Sequence, residues 1–319
     1  MPIPYMWSKE RIAIDVYNII NAYTKDRKKN LLVDLFCWWF AVSEVFLKKW
    51  REVISNDKNK YVIALLKQTL KGLPDIVYNR VSKEKFNDII NNPSKYEDWY
   101  VWYIQCAWSF WNNQKAYLYW KNREEYKKQA DDLVVRKQVG DLIKTHIPEK
   151  YIKWIIKQDT IKKRRLALRR VAKVVWKKNK NISKLQNLEK LQRLENLEIL
   201  ERLQRLKKLQ KLTKNHITIM SKSYEEVEIP EDAIVYCDPP YYNTAPYAES
   251  NFDHKKFWNY MRKLSKTHKV FISEYTAPGD FIPIYKFELR SLLQQGGKKK
   301  TEQSLEKIFI YKSYLHSKK

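Results

Sequence analysis

The tetrapeptide Asp238-Pro239-Pro240-Tyr241 closes the apolar run Ala233-Ile234-Val235-Tyr236-Cys237. A β-branched and aromatic run ending on two prolines reads as a buried strand that stops abruptly, because proline cannot donate to a ladder. A carboxylate, two ring-stiffened carbonyls and an aromatic ring are left at the carboxyl end of that strand, where open α/β sheets bind their ligands. The chemistry on offer is hydrogen-bond acceptance beside a ring that stacks. The bland alternative is a Pro-rich turn with no chemistry.

The neighbouring elements supply further acids. Leu31-Leu32-Val33-Asp34-Leu35-Phe36 is a short apolar run typical of a buried parallel strand. It ends in Cys37-Trp38-Trp39-Phe40, and 41–51 reads as a helix. Ile54-Ser55-Asn56-Asp57 is a second short strand ending in an acid. Strand, loop, helix, strand and acid form the first half of a nucleotide-binding α/β unit. Upstream, Ser8 reads as the N-cap of a mostly buried helix carrying Ile12, Ile14, Val16, Ile19 and Ile20. Downstream, 226–229, 233–237 and 269–273 read as strands, 252–265 as a helix and 307–311 as an edge strand.

Between these ends, 59–216 is Lys-, Tyr- and Trp-rich with helical periodicity. Segment 161–180 has Lys or Arg at ten positions, among them Lys162, Lys163, Arg164, Arg165, Arg169 and Arg170, and no acid. Leu166, Leu168, Val171, Val174 and Val175 interleave, which suits a basic amphipathic helix on DNA phosphates; a solvated charged face is the plain alternative. Leucine then recurs at every third position from Leu185 to Leu212. Three residues turn an α-helix by about 300°, so the stripe drifts and no heptad coiled coil results. The repeat reads as a helical low-complexity insertion, with a spacer as its least demanding role.

Bulk composition limits the classes. The chain has 319 residues, 44% of them apolar, which excludes a disordered protein. Its 63 basic and 36 acidic residues give a net charge of +27. That excess points to a polyanion, most simply nucleic acid, although a genome rich in Lys codons would also produce it. Cys37, Cys106 and Cys237 are odd in number, far apart and in apolar contexts, as expected of buried thiols in a reducing cytoplasm. No metal-ligand spacing, signal peptide or stretch of about 20 apolar residues is present, so neither a metal nor a membrane is expected. The oligomeric state is not legible; a monomer is compatible.

Together these pieces resemble the Dam-like, phage-associated DNA adenine methyltransferases. The resemblance rests on Tyr5-Met6-Trp7-Ser8-Lys9, on Asp34 through Ser43, on Asn56-Asp57, on 106–119, on Asp238 to Tyr241 and on 270–275. It implies a Rossmann-like α/β sheet that binds S-adenosylmethionine, built from 1–58 and 217–319, with a mainly helical DNA-recognition insertion over 59–216. It also implies transfer of a methyl group to adenine N6, on a base turned out of double-stranded DNA. That amine is a poor nucleophile because its lone pair is delocalised. By the resemblance, Asp238 and the Pro239 carbonyl accept its hydrogens, Pro240 stiffens the corner and Tyr241 stacks on the base. Tyr5, Trp7, Lys9, Asp34, Phe36, Trp38, Asp57, Ser223 and Tyr224 fall at cofactor positions. Asp57 would accept the ribose hydroxyls, or merely cap a turn. Tyr242, Asn243 and Tyr247 follow the motif as candidates for the base pocket. Cytosine N4 or RNA as substrate, or a DNA-binding remnant with an occluded cofactor site, are the competing readings.

The departures from the family share a pattern. Trp7, Trp38, Trp39, Trp111 and Trp120 stand where the family has glycine. The first βα turn needs glycine because the backbone bends tightly and approaches the ligand. Average usage would give about 22 glycines in this length, whereas the chain has 5 and carries 12 tryptophans. The pattern is that of UGA codons written as Trp whose source reads them as Gly. A decayed enzyme is the alternative.

Overall fold

The computed structural model describes residues 9–24, 31–49, 51–109, 114–118, 124–178, 195–209, 216–242, 252–287 and 305–313. Its strands are β1 (Leu31–Asp34), β2 (Glu52–Asn56), β3 (Ile217–Met220), β4 (Ile234–Cys237), β5 (Lys269–Glu274), β6 (Phe281–Lys286) and β7 (Lys307–Tyr311). The helices are α1 (Ala13–Tyr23), α2 (Ala41–Lys48), α3 (Lys60–Lys71), α4 (Lys83–Asn91), α5 (Asp98–Ala107), α6 (Glu124–Asp131), α7 (Asp141–His146), α8 (Glu149–Ile156), α9 (Ile161–Lys178), α10 (Glu195–Lys207) and α11 (His254–Leu264). No helix among the described residues is long and apolar enough to cross a membrane.

All seven strands form one sheet in the order β3-β2-β1-β4-β5-β7-β6. The first five run parallel, and β7 is antiparallel to both β5 and β6. Strand order reverses between β1 and β4, where Val33 lies opposite Val235. Such a reversal opens a crevice at the carboxyl ends of the two strands. This is the Rossmann-like α/β sheet expected from the sequence.

Both faces of the central strands are covered, which is why β4 reads as an unbroken apolar run. Val33, Leu35, Val235, Cys237, Val270 and Ile272 pack with Phe257, Trp258 and Met261 of α11. The strand period of two turns Leu32, Asp34, Tyr236, Phe271 and Ser273 to the opposite face. There Ser43 of α2 meets Asp34, and Tyr23 of α1 meets Phe271 edge-on at 6.4 Å. Each fully buried large apolar side chain contributes about 1.5–3 kcal/mol, so the central strands are the rigid part on which the site is mounted.

Three local readings need correction. Segment 226–229 is not a strand: Tyr224–Glu226 forms a 3-10 turn closed by a capping box between Ser223 and Glu226. The strand instead lies at Ile217–Met220, parallel to β2. Nor is β7 an edge strand; Ile308, Phe309 and Ile310 are all buried between β5 and β6. The edge falls to β6, whose Pro283 sits at a register shift, as expected for proline in a sheet. At the amino end, α1 starts at Ala13 after a 3-10 turn over Lys9–Arg11, with Ile12 as N-cap and no side-chain cap. Ser8 lies outside the described residues.

The chain divides into two compact units, one containing Ala64–Lys208 and the other Trp7–Ile63 with Leu209–Lys319. The sequence placed its breaks at 58/59 and 216/217. Within the first unit α10 packs on α5 and α9, and Leu200, Leu203 and Leu206 are each 2% exposed or less. Three-residue spacing drifts by about 60° per step, so three leucines stay within one face about 120° wide. Over this stretch the repeat is core rather than spacer; 185–194 and 210–212 lie outside the described residues. Leu203→Ala is therefore expected to cost about 2–5 kcal/mol, read from the denaturant midpoint. A loss below about 1 kcal/mol would return the repeat to a spacer role.

Candidate active site

The carboxyl ends of β1, β2, β4 and β5 deliver Asp34, Asp57, Asp238 and Glu274. Because β7 runs against β5, its first residues reach the same edge; Glu274 is in register with Lys307. Glu306 is thereby brought to the tetrapeptide. The 3-10 turn before α1 supplies Lys9, whose Nζ lies 3.0 Å from Asp238 Oδ1 and 2.7 Å from Glu306 Oε1. The same ammonium donates to the Tyr241 hydroxyl and lies 4.5 Å from that ring's centre. Tyr241 is buried and meets Tyr275 edge-on at 4.9 Å.

Burial works against the charge of Lys9, but Asp238 and Glu306 together outweigh it and hold its pKa above the ordinary value. Burial also pushes Asp238 up to about 6; Lys9 opposes the rise and Glu306 adds to it. Glu274 is pushed up to about 8 by burial, although its oxygens accept the amides of Tyr275 at 2.9 Å and Tyr242 at 3.3 Å. These two amides give Glu274 a structural place at the strand end.

Asp34 is 1% exposed. Its Oδ2 accepts from Ser43 at 2.7 Å, and Ser43 meets Ser55 at 2.8 Å. Its Oδ1 is buried and has no hydrogen-bond partner among the described residues. Burial raises its pKa to about 7, against the Ser43 hydrogen bond and with help from Asp238 and Asp57. Asn56 ties the first strand's exit to the segment after β3. Its Nδ2 donates to the carbonyls of Leu35 at 3.1 Å and Lys222 at 3.0 Å, and its Oδ1 accepts from the Lys222 amide at 3.0 Å.

The first βα turn is held by Asp57, which accepts the Trp38 amide at 3.1 Å and the Asn59 amide at 2.9 Å. In this arrangement Asp57 caps the turn. Trp38 has φ 40° and Phe40 φ 63°. Bulky residues in that left-handed region are outliers, and each costs about 1–3 kcal/mol.

The other expected cofactor residues divide. Phe36 and Tyr224 come together, ring centres 5.5 Å apart, with Phe252 and Phe257 against both. Ser223 is engaged in its capping box. Tyr5 and Trp7 lie outside the described residues, as do Trp111, Trp120, Asn243 and Tyr247; Tyr242 is exposed. Of the basic residues on α9, Arg164 is buried and donates to the carbonyls of Val134 and Gln158. Arg165 forms a two-pronged pair with Glu201 of α10 at 2.7 and 3.2 Å. Both therefore hold the helical unit together and do not face solvent as a DNA-contacting pair would. Lys163 is exposed beside Asp159 at 2.9 Å. Lys162 and Arg170 are exposed, and Arg169 is half-buried.

Sequence reasoning missed Glu306 and gave Asn56 and Ser43 no role of their own. The antiparallel reversal that brings in Glu306 has no local signature. Asn56, by contrast, was visible as the polar residue closing β2.

A doubly wound sheet with carboxylates gathered at its switch point defines a Rossmann-like α/β enzyme. Residues 165–293 match the family model described as D12 class N6 adenine-specific DNA methyltransferase. That match spans under half of the chain's length and supports methylation of adenine in DNA as its reaction. No curated protein sequence matches. Two structures of the rRNA methyltransferase AviRa from Streptomyces viridochromogenes are similar at 10% identity and a TM-score of 0.34, covering 100% of this chain and 88% of that one. At that level the fold rests on the sheet order described above.

A methyltransferase family implies S-adenosylmethionine. In charge the lining suits it: Asp34 and Asp238 against Lys9 favour a cationic guest, and Asp34 Oδ1 is buried without a hydrogen-bond partner among the described residues. In volume it does not fit. Lys9, Asp34, Phe36, Cys37, Trp38, Trp39, Tyr236 and Asp238 line the cleft, and about 10 Å³ remains among them, room for one water.

The raised Asp34 pKa gives a stability test. A folded value of about 7 against 3.8 means that the stability supplied by the neutral form is complete below about pH 4 and lost as pH rises through about 7. Asp34→Asn is neutral throughout and still accepts from Ser43. It is expected to gain on the parent between pH 4 and 7, levelling at no more than about 4 kcal/mol. Thermal melts across that range check it; a pH-independent difference would count against the burial.

Proposed function

We propose that the chain methylates adenine N6 with S-adenosylmethionine as donor, on an adenine turned out of double-stranded DNA in the cytoplasm. The observation that supports this most is the meeting of Asp34, Asp57 and Asp238 with Lys9 and Tyr241 at the β1/β4 switch point. Bound there, the cofactor's sulfonium would supply an electrophilic methyl.

The remaining roles belong to the chain's own groups. Asp238 and the Pro239 carbonyl accept the two amino hydrogens, letting the nitrogen pyramidalise. Pro240 stiffens the corner, and Tyr241 offers its ring to the base. Lys9 is a positioning residue: it holds Asp238 ionised and aligned, and Glu306 holds Lys9. Preformed dipoles and placement carry this catalysis without a covalent enzyme intermediate. Phe36 with Tyr224, and Asp57 at its strand end, form the cofactor wall. The helical unit over 59–216 binds DNA, with Lys162, Arg169 and Arg170 on phosphates.

Methylation is to be read by base mass analysis in a protein with glycine at 38 and 39, whose cleft has room. Asp238→Ala is expected to remove the mark; persistence would take Asp238 out of the mechanism. Because the ionised Asp238 is the stronger acceptor and offers both oxygens, the rate should fall on the acid side with a midpoint of about 6. Glu306 raises that value, so Glu306→Gln is expected to move the limb to lower pH. An unmoved limb would reduce Glu306 to scaffolding.

DNA affinity tests the helical unit separately. Lys162→Ala with Arg170→Ala is expected to weaken binding several-fold and to lower the slope of log affinity against log salt by about 2. An unchanged slope would place the DNA elsewhere.

A further inference from the structure

We infer that positions 38 and 39 are glycine in the functional protein, and that the tryptophans standing there represent UGA codons its source reads as glycine. The inference rests on the proposed S-adenosylmethionine site and deepens it. Two observations concern the first βα turn and a third the composition of the whole chain.

The first is backbone. Trp38 sits at φ 40°, in a region that glycine enters without steric penalty and a bulky side chain rarely does. This conformation is imposed by the turn's own hydrogen bonds: the Trp38 amide is held by Asp57, the Cys37 amide by the Asn56 carbonyl at 2.8 Å, and the Phe40 amide by the Cys37 carbonyl at 2.6 Å. All three bonds are made by backbone amides and none by an indole.

The second is space. Polar groups suited to a cation converge on the cleft, and Asp34 Oδ1 is left buried with no partner among the described residues. Yet Trp38 and Trp39 stand in the lining, and the room beside them is one water's worth. A binding edge whose carboxylates are in place and whose volume is filled by two adjacent side chains is explained by a change confined to those side chains.

The third is composition. The chain holds 5 glycines and 12 tryptophans, against about 22 glycines at average usage. A chain that had merely decayed would lose glycines to many residue types and would keep no reason to exchange them for tryptophan.

Three measurements test the inference. Mass analysis of the tryptic fragment 30–48 from the protein made in its own source should show two residues lighter by the indole side chains. Tryptophan there, or UGG codons at 38 and 39, overturns the inference. Calorimetry with S-adenosylmethionine should show no binding to the chain as written and micromolar binding to the Trp38→Gly, Trp39→Gly variant. Equal binding by both overturns the occlusion, and so does binding by neither when both melt cooperatively. The single variant Trp38→Gly should by itself raise the melting temperature by relieving the turn; a fall overturns the strain argument even where the double variant does not fold. If the glycine variant binds S-adenosylmethionine but leaves DNA unmarked, this inference stands and the proposed function fails.

Discussion

One ammonium, that of Lys9, carries the electrostatics of the sheet's carboxyl edge. It touches Asp238, Glu306 and Tyr241 at once, and it comes from a short turn far away in sequence. Removing one member of a buried charge pair is far more disruptive than never having buried the pair, because the survivor stays desolvated without a partner. Here two carboxylates would survive. The turn before α1, the end of β4 and the start of β7 are therefore tied by one charge. The same charge keeps Asp238 from rising further toward its neutral form, in which one oxygen becomes a donor and the group is the weaker acceptor.

The carboxylates not satisfied by Lys9 set the character of the cleft. Asp34 shares the edge with Asp238 and Asp57, and both of these raise its pKa. Asp57 answers its own charge with backbone amides; Asp34 answers half of its own with Ser43. What remains is one buried oxygen and a local excess of negative charge. A positively charged guest would relieve both, which makes this edge selective for cations before any shape is considered. The overall charge of +27 acts oppositely and over longer range, drawing polyanions to the surface. The two fields serve different ligands.

How much of this was legible follows physical range. The buried parallel strands β1, β2, β4 and β5 were readable because each is a short apolar run with a clear stop. The acids at their ends were readable for the same reason. What depended on pairing was not: β7 looks like an edge strand until β6 is known to cover it, and Glu306 gains its place only through that reversal. β3 was missed because its face is half-exposed, and the apolar residues after Tyr224 imitated it. Across 161–180, ten basic residues suggested one role, but Arg164 and Arg165 face the unit's interior while Lys162 and Arg170 face solvent. Helix phase decides that, and a charge count does not contain it. For the leucine repeat the error ran the other way: drift over the whole repeat hides that any short stretch keeps one face.

The first βα turn is where sequence, geometry and chemistry make different demands. Amides of the turn donate to Asp57 and to the carbonyls of Asn56 and Cys37, so the turn forms even with indoles in it. Ligand binding asks for more, namely that nothing project from the turn into the crevice. A fold therefore survives a substitution there that abolishes binding, and the two failures separate. That separation explains how the chain presents a complete carboxylate edge around a filled cleft. The edge is specified by strand ends and long-range pairing, which two side chains in one loop leave intact, whereas the volume is specified by the absence of Cβ atoms at two positions. Only glycine supplies that absence.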